Sequence, residues 1–425
     1  MLTLMALIGV FIAGCQNSTT GMSNPSGYSK IGASWSNGRG NPQNSGLASW
    51  AGVSKTKSVN ALTLIANPEW VYPGSGSSNG SFPVIDPDGT IYYQGTDNCL
   101  YAVKSDGTLK WKVTNKNYGF VPPAIGPDGR IYVGDYQDWF YCLSPQDGQE
   151  IWSKDFGSSA SGFVNAPIIT SEGVIYISSW DGNLYALNLD GDLLWKFNQA
   201  YSVQGTPGVG KNGTVYTMTD RVYSLNPSDG NVNWSFKPID EPNSMGWRFE
   251  SSPVIADNGT IYVIGYYNSM GIPNGNRIYL FAVDQSGNEE WRYPLTDGSS
   301  ISPSGTRTYP TLMPDGTILV SVSPRNTLVA INPAGTLKTE KVMSENLAYD
   351  ASPSVDGLGR VYISYMYGFA CLSADISTIL WEKKITDGSD GLFVESSPSI
   401  GSTSVYFTSR NGNTGGSLYS FPLDQ

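Results

Sequence analysis

The stretch Pro83–Trp111, PVIDPDGTIYYQGTDNCLYAVKSDGTLKW, decides the fold. It opens on a proline and a short apolar run, Val84-Ile85, and turns at Asp88-Gly89. A β-branched and aromatic segment from Ile91 follows, then a polar break at Thr96-Asp97-Asn98. A second such segment, Leu100–Val103, leads through Asp106-Gly107 to a last one that ends on Trp111. Short runs of strand formers separated by turn residues read as a four-stranded antiparallel meander. Acids beside glycine also occur in calcium loops, but such a loop gathers its oxygen ligands at one place. Here the Asp-Gly pairs recur at fixed offsets along the chain, so they read as turn residues.

The recurrence is regular. Pro83, Pro123, Pro167, Pro207, Pro253, Pro310, Pro353 and Pro398 open successive units, 40 to 57 residues apart. First turns fall at Asp88-Gly89, Asp128-Gly129, Asn212-Gly213, Asn258-Gly259 and Asp315-Gly316, with variants at Glu172-Gly173 and Leu358-Gly359. Tryptophan closes most units: Trp111, Trp152, Trp195, Trp234, Trp291 and Trp381, with Thr339 in the sixth. A four-stranded unit at this period is a propeller blade, because each small sheet has two apolar faces that only radial stacking buries. The eighth unit runs out after Leu418–Leu423, and Trp70 stands one repeat length before Trp111. The spacing therefore predicts an all-β fold: a single eight-bladed β-propeller of four-stranded antiparallel blades, closed by an N-terminal strand around Trp70 that completes the last blade.

The units QDGQEIW, LDGDLLW and SDGNVNW, each after an LYAL-type strand, resemble the tryptophan-docking repeat of the PQQ-like propeller superfamily. The upstream segment WSNGRGNPQNSG, Trp35–Gly46, resembles the stretch that precedes the first blade in that superfamily, so the resemblance spans residues 35–425. It implies the eight-bladed fold, and for the tryptophans Trp70, Trp111, Trp152, Trp195, Trp234, Trp291 and Trp381 a structural docking role. The superfamily holds two kinds of protein. One is the quinoprotein dehydrogenases, which bind PQQ at the propeller centre, commonly with Ca²⁺. The other is non-catalytic envelope scaffolds of the BamB type.

Composition favours the scaffold. The chain has no histidine, which removes the commonest general base and transition-metal ligand. It has no adjacent cysteine pair of the kind many quinoproteins place against the quinone. No catalytic residue, metal site or cofactor is expected, PQQ and Ca²⁺ included. A net charge of −11 leaves no cationic surface for nucleic acid. Cys142 and Cys371 fall in a third-strand column with Ala102, Ala186, Ser224, Ala282, Ala330 and Ser420, so they read as small packing residues. Cys99 has no such explanation.

The N-terminus MLTLMALIGVFIAGCQ is a short apolar run ending in a segment that resembles a bacterial lipobox. Residues 1–15 are expected to be a lipoprotein signal with lipidation at Cys15, and residues 16–34 a polar tether. Gln16 after the cysteine favours the outer membrane in a Gram-negative cell. A lipid-anchored envelope location follows.

Propeller topology puts the first and third turns of every blade on one face, and the second turns and inter-blade connections on the other. The first set is short and uniform, while the second varies widely, for example Lys237–Glu250, Tyr266–Arg277, Tyr293–Tyr309 and Lys383–Glu395. Variable loops on a rigid frame carry binding. The candidate binding face therefore comprises Tyr136, Trp139, Trp180, Trp247, Arg248, Tyr266, Tyr267, Met270, Arg307 and Tyr309, aromatic and arginine types that anchor interfaces. The expected partner is an envelope protein. A glycan is the alternative ligand, and a PQQ- and Ca²⁺-dependent dehydrogenase the second alternative.

Overall fold

The structure is a computed structural model of the whole chain. It describes residues 41, 64–65, 68–73, 82–115, 119–157, 162–163, 165–199, 201, 205–239, 244–269, 277–296, 308–349, 351–385, 392–394, 396–411 and 415–423. Eight antiparallel sheets follow one another along the chain, and together they form the eight-bladed propeller. Blade 1 has the strands Val84–Ile85, Ile91–Gln94, Cys99–Val103 and Leu109–Thr114, and it sets the pattern for the others. The innermost strand is two residues long in every blade, as the crowded hub requires. Among the described residues no helix is long and apolar enough to cross a membrane.

A row of three side chains explains the repeat. In blade 3, Tyr176 of the second strand faces Ala186 of the third, and Ala186 faces Trp195 of the outer strand. The two rings meet across the small residue, with centroids 5.6 Å apart. Blade 1 repeats this with Tyr92, Ala102 and Trp111, and blade 7 with Tyr362, Cys371 and Trp381. A larger side chain in the middle column would hold the rings apart. Cys142 and Cys371 are therefore packing residues, and burial pushes both thiols up to about 12, which makes them unreactive. Cys99 begins its strand, and its Sγ sits 3.3 Å from Thr114 Oγ1.

Each tryptophan also reaches the next blade. The Trp195 indole donates to the Pro227 carbonyl at 2.8 Å and lies over Gly230, where a Cβ would stand 2.6 Å from the ring. Gly230 has a φ of +71°, so both backbone and contact call for glycine. The same bond runs from Trp70 to Ser105, Trp111 to Pro145, Trp152 to Leu189, Trp234 to Gln285 and Trp291 to Pro333, at 2.8–3.2 Å.

The ring closes as the repeat predicts. Trp70–Pro73 pairs antiparallel with Gly415–Pro422, with Trp70 opposite Ser420. Glu69 accepts hydrogen bonds from Ser404 at 2.8 Å and Ser420 at 2.9 Å, which ties this strand to the C-terminal hairpin. At the hub, Ser399 donates to the Pro83 carbonyl at 2.7 Å and joins blade 8 to blade 1. Similar bonds run from Thr311 to Pro353 and from Ser354 to Pro398. One pairing is unexpected from sequence: Leu64–Ile65 adds a parallel fifth strand to blade 7, beside Trp381 and Glu382.

The face of short turns is stapled by carboxylates. Asp86 accepts from the amides of Asp88 and Thr90 and from the Tyr92 hydroxyl at 2.9 Å. Burial, with Asp88 beside it, pushes the Asp86 carboxyl up to about 7. Asp356 holds the corresponding position in blade 7, fully buried and paired with Arg360 at 2.7 Å.

Candidate functional site

The variable face is built differently around the ring. In blade 5 the sequence suggests a long loop over Tyr266–Arg277, but regular structure replaces much of it. The second strand runs on to Ser269 and the third begins at Arg277, with Ser244–Arg248 added alongside. Trp247 belongs to this added strand, opposite Tyr267, and is 1 % exposed. Its ring packs on Tyr267, Tyr279 and Phe281 at 5.2–5.9 Å. Trp247 is thus the core of a hairpin extension and is not presented to a ligand. Tyr267, in the same extension, is buried, and Tyr309 is buried ahead of the first strand of blade 6, with its ring 6.3 Å from that of Phe82. Tyr266 is half-buried and donates to Glu250 at 2.6 Å. Met270 and Arg307, like Cys15, lie outside the described residues.

The remaining candidates are Tyr136 and Trp139 of blade 2, Trp180 of blade 3 and Arg248 of the strand added to blade 5. Trp180, in the second turn of blade 3, is 44 % exposed and stacks on Tyr136 of blade 2, with centroids 6.3 Å apart. Gly162 lies beneath this pair: its carbonyl accepts from the Trp180 amide at 3.0 Å, and a Cβ on it would strike the Tyr136 backbone. Further round, Tyr201 is 50 % exposed, and the Arg248 guanidinium stands 5.0 Å from the centre of its ring. Gly182, next to the Trp180 turn, brings the Tyr201 carbonyl against blade 3. Tyr136, Trp180, Tyr201 and Arg248 thus form a ridge from blade 2 to the added strand of blade 5. Ile239 in the same sector is 87 % exposed. Sequence reasoning missed Tyr201 and Ile239, which sit in the inter-blade connections after the third and fourth blades; length alone drew attention to blades 4 to 6.

Trp139 stands apart from the ridge. It stacks on Tyr141 at 6.4 Å and, with Phe120, Asn115 and Glu150, lines a cleft of about 310 Å³ between blades 1 and 2. Asp135 anchors the loop beneath it by accepting from the Gln137 and Trp139 amides, Asn115 and the Tyr141 hydroxyl.

Known proteins resemble this chain in two ways. The family model described as "Outer membrane protein assembly factor BamB" matches residues 96–279. Eight repeats stand in register and eight blades close as described. The chain shares the repeat and the fold of the PQQ-like β-propeller superfamily.

Relatives of this PQQ-like propeller fall on both of its branches. The outer membrane protein assembly factor BamB of Nitrosomonas eutropha is 28 % identical over 31 % of this chain. The quinoprotein ethanol dehydrogenase of Pseudomonas aeruginosa is 29 % identical over 35 % of it. The matched parts span only 32 % and 25 % of those two relatives. Among solved structures, the quinohemoprotein alcohol dehydrogenase of Comamonas testosteroni aligns over 92 % of this chain and 80 % of its own, with a TM-score of 0.66 at 14 % identity. BamB of Moraxella catarrhalis aligns over 86 % and 99 %, with a TM-score of 0.58 at 14 % identity. Likeness at this identity shows the fold alone.

The PQQ and Ca²⁺ of the dehydrogenase branch call for acidic and amide ligands converging at the hub. Thr311, Ser354 and Ser399 point hydroxyls there instead, each already donating to a backbone carbonyl. Among the described residues no three acidic or thiol groups stand together to hold a metal ion. The described donor set does not fit either group.

Proposed function

We propose that this PQQ-like propeller is a non-catalytic scaffold of the cell envelope that docks a protein partner through the ridge running from blade 2 to the added strand of blade 5. The observation that carries this is the exposure of Trp180 and Tyr201, with Arg248 beside them, on a frame whose other large aromatics are mostly buried. Half-exposed rings held by glycine contacts beneath them lose little entropy on binding, which is the economy of an interface anchor. The BamB relatives support a role in outer-membrane protein assembly. Lipidation at Cys15 and the following polar segment would hold the propeller at the membrane surface. Capture from native membranes with the lipidated protein tests the reading: a partner held by the wild type is lost with Trp180→Ala/Tyr201→Ala. Equal recovery of that partner by the double variant defeats the assignment of the ridge.

A second reading rests on the cleft under Trp139. A stacked pair of rings beside Asn115 and Glu150 has the make-up of a sugar platform. Saturable binding on a glycan array that disappears in Trp139→Ala supports it, and an array without signal removes it.

A further inference from the structure

One cavity of about 280 Å³ opens between blades 6 and 7, away from the ridge and the cleft. Its origin lies in two departures from the repeat. The fifth residue of the second-strand repeat, counted from Ile91 and its counterparts, is Gly95, Asp135, Ser179, Thr219, Gly265, Val322 and Ser409 in the other blades, but Tyr365 in blade 7. The residue opposite it on the third strand is Gly368, where other blades carry a side chain such as Cys99, Trp139 or Thr327. A large ring thus stands beside a missing side chain. Gly368 has no room for a Cβ, which would meet the Lys383 carbonyl at 2.3 Å. The gap is fixed by the backbone.

The polar groups around the gap are unevenly matched. Tyr365 is 3 % exposed, lines the cavity, and its hydroxyl has no hydrogen-bond partner. An unpaired buried hydroxyl costs about 1–3 kcal/mol, so it calls for a partner. Glu345, Glu382, Lys383 and Lys384 also line the cavity. Both carboxylates act on the Tyr365 hydroxyl, and with burial they raise its pKa, so it stays protonated. Lys384 reaches Glu345 at 3.7 Å, while Glu382 has no ion-pair partner among the described residues. Lys384 shares a sheet face with Glu382, and Lys383 between them projects to the other.

We infer that this cavity is a binding site for a primary ammonium group on a short aliphatic chain, held by Glu382, Glu345 and the Tyr365 hydroxyl. The ammonium donates to both carboxylates and to the phenol oxygen, which leaves the phenol proton for a carboxylate oxygen. The methylenes lie along the Tyr365 and Tyr367 rings. Lys384 is already engaged by Glu345, so an anion at the Tyr365 hydroxyl would meet the unpaired Glu382 carboxylate, and a neutral alcohol would leave Glu382 without a counter-charge. The ammonium arises either on a free alkylamine or on a lysine side chain of a polypeptide.

Calorimetric titration of the full chain with n-butylammonium tests this, with n-butanol and butyrate as isosteric controls and N-acetyl-lysine amide as the polypeptide arm. Saturable binding of n-butylammonium or N-acetyl-lysine amide, without binding of either control, is expected, and the stronger of the two identifies the source. Glu382→Gln should weaken binding about ten-fold or more, the scale of a lost charge-assisted bond. Tyr365→Phe should weaken it about three- to ten-fold without lowering thermal stability, since it deletes an unpaired group. Binding of n-butanol equal to that of n-butylammonium, affinities unchanged in both variants, or no saturation by either ammonium probe overturns the proposal.

Discussion

Ile376 holds, in blade 7, the turn position that Gly335 holds in blade 6, and Thr339 holds the outer-strand position of the tryptophan that would dock on it. The two departures belong together. Ile376 has a φ of +55°, a conformation that strains a β-branched residue, yet its side chain is 1 % exposed in the core shared by blades 6 and 7. Leu319 replaces the tyrosine of the same row, so blade 6 lacks both rings and aliphatic packing takes their place. Ile376→Gly should relieve strain but lose about 2–4 kcal/mol of buried contact and cavity energy, for a net destabilisation in urea melts. Ile376→Gly with Thr339→Trp should recover part of that loss, because it restores the docking pair. A double variant no more stable than the single one would show that the two positions are independent.

Trp195 and Gly230 give the opposite test. Trp195→Ala removes a nearly buried ring and its bond to Pro227, so a loss of about 3–5 kcal/mol is expected in chemical denaturation. Gly230→Ala should also destabilise, by about 1–3 kcal/mol, because the new methyl meets the indole in a positive-φ backbone. An unchanged midpoint for either variant would mean that the tryptophan does not tie the blades.

Asp86 makes stability depend on pH in a direction opposite to most carboxylates. Its folded pKa of about 7 lies above the ordinary 3.8, so the folded state holds a proton that the unfolded chain releases. Its contribution is fully present below pH 4 and is lost as pH rises through 7. Asp88, lowered to about 2, acts the other way: it contributes above pH 4 and loses its effect as pH falls toward 2. Asp86→Asn keeps an acceptor for the Thr90 amide and removes the titration. Denaturation midpoints measured from pH 4 to 8 should fall less steeply in the variant than in the wild type; parallel curves would refute the shift.

Trp180 and Trp247 should separate binding from folding. Trp180→Ala, at a half-exposed ring, should change stability by less than about 1 kcal/mol while abolishing partner capture. Trp247→Ala deletes the centre of a four-ring cluster and should cost about 3–5 kcal/mol, with proteolysis first appearing in the blade 5 extension. The reverse pattern would place the interface at Trp247.

The propeller was legible in the sequence because strand period, turn chemistry and the tryptophan column all repeat in register, and each copy reinforces the others. The site was less so, because function sits where the repeat breaks and the periodic argument stops there. Trp247 and Trp180 look alike in the sequence, both aromatic residues in inter-strand segments. Only the added strand Ser244–Arg248 shows that one of them is core. Tyr201 passed unnoticed because its connection is short. The cavity at Tyr365 was invisible for a different reason: it depends on Tyr365 and Gly368 being cross-strand partners, a register that the alternation of one strand does not reveal.

The closing pairs have a consequence for how the molecule comes to exist. Trp70–Pro73 leaves the ribosome among the first residues of the propeller, while its partners on Gly415–Pro422 come last. Leu64–Ile65 likewise waits for Trp381 and Glu382. Through most of synthesis the early strand has no ladder to join, and the growing stack of blades ends on an open sheet. Such unpaired edges invite aggregation. The last fifty residues or so therefore decide the fate of all the others, and a chain cut short within blade 8 would lose the ring as well as a blade.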